Sequence, residues 1–214
     1  MRPSAWVTLA RSVLTAILIL TAAIAVPILW RGFYYAHIDA LELVDNTPWS
    51  REQVVTAYDQ MLDYCIGAAD FGTGELRHSD EGAAHFADVR RLFILDLALA
   101  AASAGGLLLT LRLREKPVHG LGSAFWGAGG LLAVICVTTA LAATDFDRAF
   151  ELFHALFFPG KSNWLFDPYT DEIIRVLPQE FFRNCALLIA GLIAAACAVL
   201  IIGELLKRRK ALKR

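Results

Sequence analysis

The sequence predicts an all-α integral membrane protein. Four transmembrane helices carry a small helical extracytoplasmic cap built from two loops, and both termini lie in the cytoplasm. Three observations lead there. The 214 residues are 57% hydrophobic, against roughly 45–50% for a soluble domain. Four apolar runs each approach the roughly 20 residues needed to cross a bilayer. The basic residues cluster at the ends of those runs rather than spreading over a surface.

The chain reads as a single membrane domain over 1–214. The first span, about 12–30, is uncharged. Ala23 and Ala25 mimic a signal-peptide cleavage site, but the apolar run continues through Val26 to Trp30, longer than a signal core of ~7–15 residues. The second span, about 92–111, contains one charge, Asp96; an acid inside a membrane segment is a functional suspect by default, and it can equally snorkel outward or bond a neighbouring helix. The third, about 121–144, and the fourth, about 184–203, are uncharged. Small-residue clusters at Ala100 to Gly106 and Gly127 to Gly130 read as close helix-packing faces.

Charge orients the spans. Arg2 and Arg11 precede the first. Arg112, Arg114 and Lys116 lie between the second and third, and Lys207, Arg208, Arg209, Lys210, Lys213 and Arg214 follow the fourth. With four spans these clusters fall on one side, which the positive-inside rule assigns to the cytoplasm. Loops 31–91 and 145–183 then face outward. The net charge of -1 hides this asymmetry. No basic surface exists beyond the cytoplasmic flanks, so nucleic acid is not an expected partner.

In the first outer loop, Asn46-Thr47-Pro48 is a helix start with Thr47 as cap, and Ser50 with Gln53 offers a capping box for a later one. Val54, Val55, Tyr58, Met61, Leu62, Cys65 and Ile66 form an apolar helical stripe that Gly67 ends. That face must lie on the other loop or on the membrane. After a Gly72 to Gly74 turn, Ser79-Asp80-Glu81 opens one long helix that runs into the second span. In the second loop a helix from about Phe146 to Phe158 is stopped by Pro159-Gly160. Asp167-Pro168 opens a short helix through Leu177, and Pro178 leads into the fourth span. A Cys65–Cys185 disulfide on the outer side is weakly indicated. Cys136 and Cys197 lie inside spans as packing residues.

The segment Phe150 to Phe182 is dense in Phe and Trp, with acids and a histidine among them. Aromatic rings with polar neighbours suit a membrane–water boundary, and a histidine there moves protons near neutral pH. His119 is cytoplasmic and incidental, and His37 and His78 have no obvious partner. His85 and His154 differ. Asp88 lies three residues beyond His85 on the same helix face, placed to fix the imidazole tautomer. His85 stands roughly 9 Å above Arg91 at ~1.5 Å per residue. Glu151 lies one turn before His154. Phe150, Phe153, Phe157, Phe158 and Trp164 could wall a dry pocket or lipid groove. Each histidine alone also fits a hydrogen-bonded boundary residue. The His-x-x-Asp and Glu-x-x-His spacings leave open a metal-dependent membrane enzyme using His85, Asp88, Glu151 and His154. A non-catalytic sensor or assembly protein is open too, and it predicts histidines more than ~12 Å apart, beyond shared reach of one ester. No Gly-x-Ser-x-Gly elbow, His-Glu-x-x-His, P-loop or dinucleotide fingerprint is present.

Two segments together resemble a family of small bacterial membrane proteins that includes the lipoprotein intramolecular transacylase. HFADVRRLF, His85 to Phe93, is similar to the family's H-x-x-D-V-K-x-L-F element, with Arg90 where Lys is common. The stretch from Phe153 to Phe182 is similar to a family element of His, paired Phe, Trp, Asp, Pro and a second Phe pair. The four-span layout matches as well. The outer loops are more acidic than is usual for the family. The resemblance implies an acyltransferase of the bacterial cytoplasmic membrane whose site faces the extracytoplasmic side. It would move the sn-2 acyl chain of a diacylated lipoprotein onto the α-amine of the N-terminal cysteine, in contact with membrane lipids. Two family histidines carry over onto His85 and His154 as a catalytic pair. Asp88 would orient His85, and Arg91 and Arg175 are candidates for the oxyanion or a polar headgroup. Nucleophile and ester share one molecule, so no metal or other cofactor is required.

Overall fold

A computed structural model of the chain describes residues 3–213. Arg2 and Arg214, counted in the basic clusters above, lie outside the described residues. The chain is helical: α1 (Ala5–Leu29), α2 (Arg31–Ala40), α3 (Arg51–Ile66), α4 (Asp80–Thr110), α5 (Ser123–Thr144), α6 (Phe146–Phe157), a 3-10 turn (Glu172–Arg175) and α7 (Gln179–Leu212). Among the described residues four helices, α1, α4, α5 and α7, are long and apolar enough to cross a membrane. The protein is therefore a multi-pass membrane protein. It divides into two compact units.

The first unit comprises Met1–Ile24, Asp96–Ala143 and Leu188–Arg214. Ala23, Ala128, Ile193 and Cys197 form its centre, with Leu20, Leu131, Ile135 and Ile189 packed around them. Small residues permit that approach. A Cβ on Gly127 would stand 2.3 Å from the Ser12 carbonyl oxygen, and one on Gly106 would stand 3.0 Å from Leu14. Gly105, Gly129 and Gly130 have open space instead, so only part of each expected small-residue face makes a close contact. Polar links sit at one end of the helices. Ser12 Oγ donates to the Ser123 carbonyl at 3.0 Å, and Arg11 donates to the carbonyls of Thr110 and Leu113. Gly122 N–H donates to Glu204 at 3.1 Å. Asp96 is buried, and its Oδ2 has no partner among the described residues.

The second unit comprises Ala25–Leu95 and Thr144–Leu187. Its centre is aromatic. Tyr34 of α2 stacks on Tyr58 of α3 with centroids 3.7 Å apart, and Phe181 stands edge-on to Tyr34 at 5.2 Å. Burying rings of this size stabilises by roughly 1.5–3 kcal/mol each. The Tyr34 hydroxyl stays satisfied by donating to the Val176 carbonyl at 2.8 Å. The apolar stripe of α3 is buried at Val54, Ala57, Tyr58, Met61, Leu62 and Cys65, so it lies on protein within this unit. Its start is the later of the two expected: Ser50 is the N-cap, and the reciprocal box with Gln53 is formed. Gly67 ends α3 at φ 136°, a conformation that favours glycine.

Several expectations need correction. α2 follows the first span after a break at Trp30, in a part of loop 31–91 for which no helix was specified. The helix expected from Asp167 through Leu177 is only the 3-10 turn, because Asp167 accepts from Tyr169 N–H and so forms a tight local turn. The Cys65–Cys185 disulfide is absent. Both thiols are free, and burial pushes the Cys65 thiol up to about 12, which makes it inert. His37 and His78 do have partners, the Phe33 carbonyl at 2.7 Å and Thr73 Oγ1 at 3.0 Å.

An ionic clasp joins the start of α4 to the 3-10 turn within this unit. Arg77 donates to Glu172 at 2.9 Å through Nε, and the Arg77 backbone N–H donates to the same carboxylate at 2.8 Å. These bonds hold the Glu172 carboxyl below the ordinary carboxylate range. Asp171 accepts from Ser79 N–H and Oγ–H at 2.8 and 2.9 Å, while Ser79 Oγ caps α4 by accepting from Gly82 N–H at 2.9 Å. A Cβ on Gly82 would fall 2.1 Å from Asp171 Oδ1. Asp171 is short and fixed by Ser79 and Thr170, so it cannot swing clear. Gly82→Ala should therefore destabilise by roughly 1–3 kcal/mol, the usual cost of overpacking. Gly105→Ala, into open space, should raise stability by about 0.5–1 kcal/mol through helix propensity. Thermal unfolding in detergent tests the pair, and equal melting temperatures for Gly82→Ala and wild type would refute the clasp.

Candidate active site

Both histidines singled out in the sequence belong to the second unit and face each other. His85 lies on the second turn of α4 and His154 on the last turn of α6. Their ring centroids are 5.8 Å apart at a 31° tilt, and they are 5% and 6% exposed. This overturns the expectation of widely separated histidines that a non-catalytic protein carried.

Local sequence explains each placement. Asp145 caps α6 by accepting from Arg148 N–H at 2.9 Å. The helix then brings His154 one turn beyond Phe150, and His154 Nδ1–H donates to the Phe150 carbonyl at 2.8 Å. That bond fixes the tautomer and leaves Nε2 as an open lone pair. Burial lowers the His154 pKa from its ordinary 6.5, and the Phe150 bond opposes this. The ring is therefore neutral at pH 7 and able to accept a proton. Gly160, at φ 73°, turns the chain back after α6. The returning segment, 161–166, lies over the histidines. Trp164 stacks on His154 at 4.3 Å, and Phe166 stands edge-on to His85 at 5.4 Å. Phe158 touches both rings, at 4.9 Å from His85 and 5.6 Å from His154.

The walls match the sequence reading in part. Phe150 and Phe153 contact His154 at 4.4 and 5.4 Å. Phe157 packs on Phe153 at 4.8 Å and is half exposed, one ring away from the imidazoles. Phe166 was not expected. It stacks on Phe86 at 5.7 Å, and the aromatic neighbours of a histidine one residue before Phe86 were the available signal.

The polar residues divide differently from expectation. Asp88 makes no hydrogen bond to His85. Its carboxylate accepts from Arg91 at 3.0 Å and from Lys161 at 2.5 Å, and His85 Nδ1 has no hydrogen-bond partner among the described residues. Lys161 was not singled out in the sequence. It lies just beyond Pro159-Gly160, and its partner comes from another helix, which linear spacing does not reveal. Glu151 is exposed and pairs with nothing among the described residues. Arg175 is exposed and lies over the Trp49 ring at 4.9 Å, engaged there rather than at the imidazoles. His85, Asp88, Glu151 and His154 thus do not assemble as a ligand set. Among the described residues no group of three His, Cys, Asp or Glu side chains is arranged to hold a metal ion.

The fold and site define a helical, multi-pass membrane protein that brings two buried imidazoles together among aromatic rings. Residues 9–182 match the family model for the lipoprotein intramolecular transacylase Lit, and the chain belongs to that family, a family of acyltransferases. The fold agrees. An in meso structure of the membrane-integral lipoprotein intramolecular transacylase Lit from Bacillus cereus superposes with a TM-score of 0.82 at 26% identity, covering 96% of this chain and 97% of that one. Two structures of the same Bacillus cereus protein, with one histidine replaced by arginine or by alanine, share the fold. Both have TM-scores of 0.77 at 24% identity and cover 96% of this chain, and 93% and 94% of theirs. No curated protein sequence matches the chain.

A pH consequence follows from the buried His154 ring. The folded state binds its proton more weakly than the unfolded chain does. The stability it contributes is complete above about pH 6.5 and is lost as pH falls toward the lower folded pKa. Histidine ring NMR of detergent-solubilised protein should give a His154 midpoint below 6.5. A midpoint above 6.5 would contradict the neutral, proton-accepting ring.

Proposed function

We propose that this chain moves the sn-2 acyl chain of a diacylglyceryl-modified lipoprotein onto the α-amine of its N-terminal cysteine, with His154 and His85 as the acid–base pair. The observation that carries this reading is the apposition of two buried imidazoles from separate segments among aromatic walls. Family membership supplies the reaction type.

Nucleophile and ester belong to one substrate molecule. The α-ammonium, of pKa ~8, must lose a proton before it can attack. His154 Nε2, with its lone pair exposed by the Phe150 bond, takes that proton. The nitrogen then forms a bond to the ester carbonyl carbon. A ring N–H of His85 donates to the developing oxyanion, a contribution favoured where water is excluded. The carbonyl–glyceryl bond breaks, the proton held on His154 goes to the departing glyceryl oxygen, and the freed imidazole takes the remaining proton from the new amide nitrogen and passes it to water. One N–C bond replaces one O–C bond, and one proton leaves because the substrate enters as its ammonium; no electron or cofactor is needed. Holding amine and ester together removes much of the barrier. Phe150, Phe153, Phe158 and Trp164 line the path for the acyl chains, and Phe157 extends it.

The positive-inside distribution supports a bacterial cytoplasmic membrane location. Loops 31–91 and 145–183 are then extracytoplasmic, level with the outer-leaflet lipids that carry the substrate's acyl chains. Arg91, highly exposed and outside the apolar run, suits a polar headgroup at that level. Arg175, on Trp49, is a more distant support.

Mass spectrometry of lipoprotein N-termini should show the lyso form with an acylated α-amine in cells expressing the chain and not in cells lacking it. His154→Ala should lower its formation by about 10²–10⁴-fold, and His85→Ala by about 10²–10³-fold, with both proteins still in the membrane. Undiminished product from either variant would remove that histidine from the chemistry.

A further inference from the structure

Asp88 is the charged group beside the imidazole pair that the acyl shift leaves unused. It is 8% exposed, and His85 feels it and Lys161 electrostatically. Its two oxygens are treated differently. Oδ1 accepts from Arg91 of its own helix at 3.0 Å, a neighbour fixed by helical spacing. Oδ2 accepts from Lys161 at 2.5 Å, a primary ammonium brought by the returning loop on a flexible stem that is 44% exposed, and Asn163 of the same loop also hydrogen-bonds the carboxylate. The buried carboxylate is thus reached from solvent by one exchangeable primary ammonium. On the acyl-transfer reading the substrate brings another primary ammonium to this site, its own N-terminus.

Resting on the acyl-transfer reading, we infer that Asp88 is the docking carboxylate for the substrate's α-ammonium and that Lys161 occupies this position until substrate displaces it. The exchange replaces one ammonium by another, so the buried charge count does not change and no ion is left bare. That matters because stripping a buried carboxylate of its partner is costly. Arg91 stays on the second oxygen and weakens the carboxylate's hold on the ammonium proton. Once His154 Nε2 takes that proton, the neutral amine is released from Asp88 and Lys161 returns. A bare ammonium docked here also selects against an already acylated N-terminus, which has no charge to offer.

The two partners of one ion pair then have opposite effects on binding, which a merely structural bridge would not produce. The test uses the purified full chain in detergent and a dialkylglyceryl cysteine peptide whose ether links cannot transfer, with its des-amino counterpart. Wild type should bind the amine form at least about tenfold tighter, the scale of a charge-assisted hydrogen bond. Asp88→Asn should bring the two ligands within about twofold, and Lys161→Met should widen the preference. If Asp88→Asn keeps the preference, or Lys161→Met loses it as Asp88→Asn does, the docking site is overturned. Equal binding of both ligands by wild type overturns it as well. Turnover of the ester-linked peptide is scored separately: amine-selective binding through Asp88 without N-acyl product would uphold the docking site and overturn the acyl-transfer reading.

Discussion

Two imidazoles from different helices meet with centroids 5.8 Å apart while almost wholly shielded from water, and much of the second unit is organised around holding them there. A buried histidine is costly unless its polar atoms are satisfied or it stays neutral. His154 meets this by giving its Nδ1 proton to the Phe150 carbonyl of its own helix. His85 meets it only in part, with Nδ1 left unpartnered. Orphaned buried polar atoms of this kind concentrate where a ligand completes the set. A peptide N-terminus and an ester are suitable completions.

The scaffold that keeps the rings together is ionic as well as aromatic. The Arg77–Glu172 and Ser79–Asp171 contacts bind the start of α4 to the segment before α7. Lys161 binds the returning loop to Asp88 one turn beyond His85. Phe166 and Trp164 come with that loop and, with Phe158 at the end of α6, close on the two imidazoles. Bridges of this kind gain strength when one partner is sheltered, and Glu172 and Asp88 are the sheltered members. The two imidazoles thus stand on helices, while the loop that covers them is fastened by the Lys161–Asp88 ion pair.

Much of this was legible in the sequence because it rests on local rules. The capping box Ser50–Gln53, the Gly67 stop, the Ser79 start of α4 and the Pro159-Gly160 end of α6 each involve residues within a turn of one another. The histidine pair was legible through motif resemblance, while its apposition is a contact between α4 and α6 that the spacing within neither helix dictates. What escaped depends on contacts between distant segments. α2 was missed because its helical stripe, Tyr34 and Ile38, makes sense only against Tyr58 and Phe181. Asp88 was assigned to His85 by spacing on one helix, yet the partner that wins is Lys161, a better-charged donor from another element. Arg175 was read as a site residue, and Trp49 holds it instead. Spacing reports which residues share a face, not which of several neighbours takes the bond.

The central claim is that one substrate molecule places its amine and its sn-2 ester between these two rings. A structure of the protein with a dialkylglyceryl cysteine peptide bound tests it most directly. The account predicts the amine nitrogen within hydrogen-bond reach, about 2.6–3.2 Å, of His154 Nε2 or of Asp88, with the sn-2 position between His154 and His85. A glyceryl group seated away from both imidazoles, with the pocket still closed by Trp164 and Phe166, would contradict it.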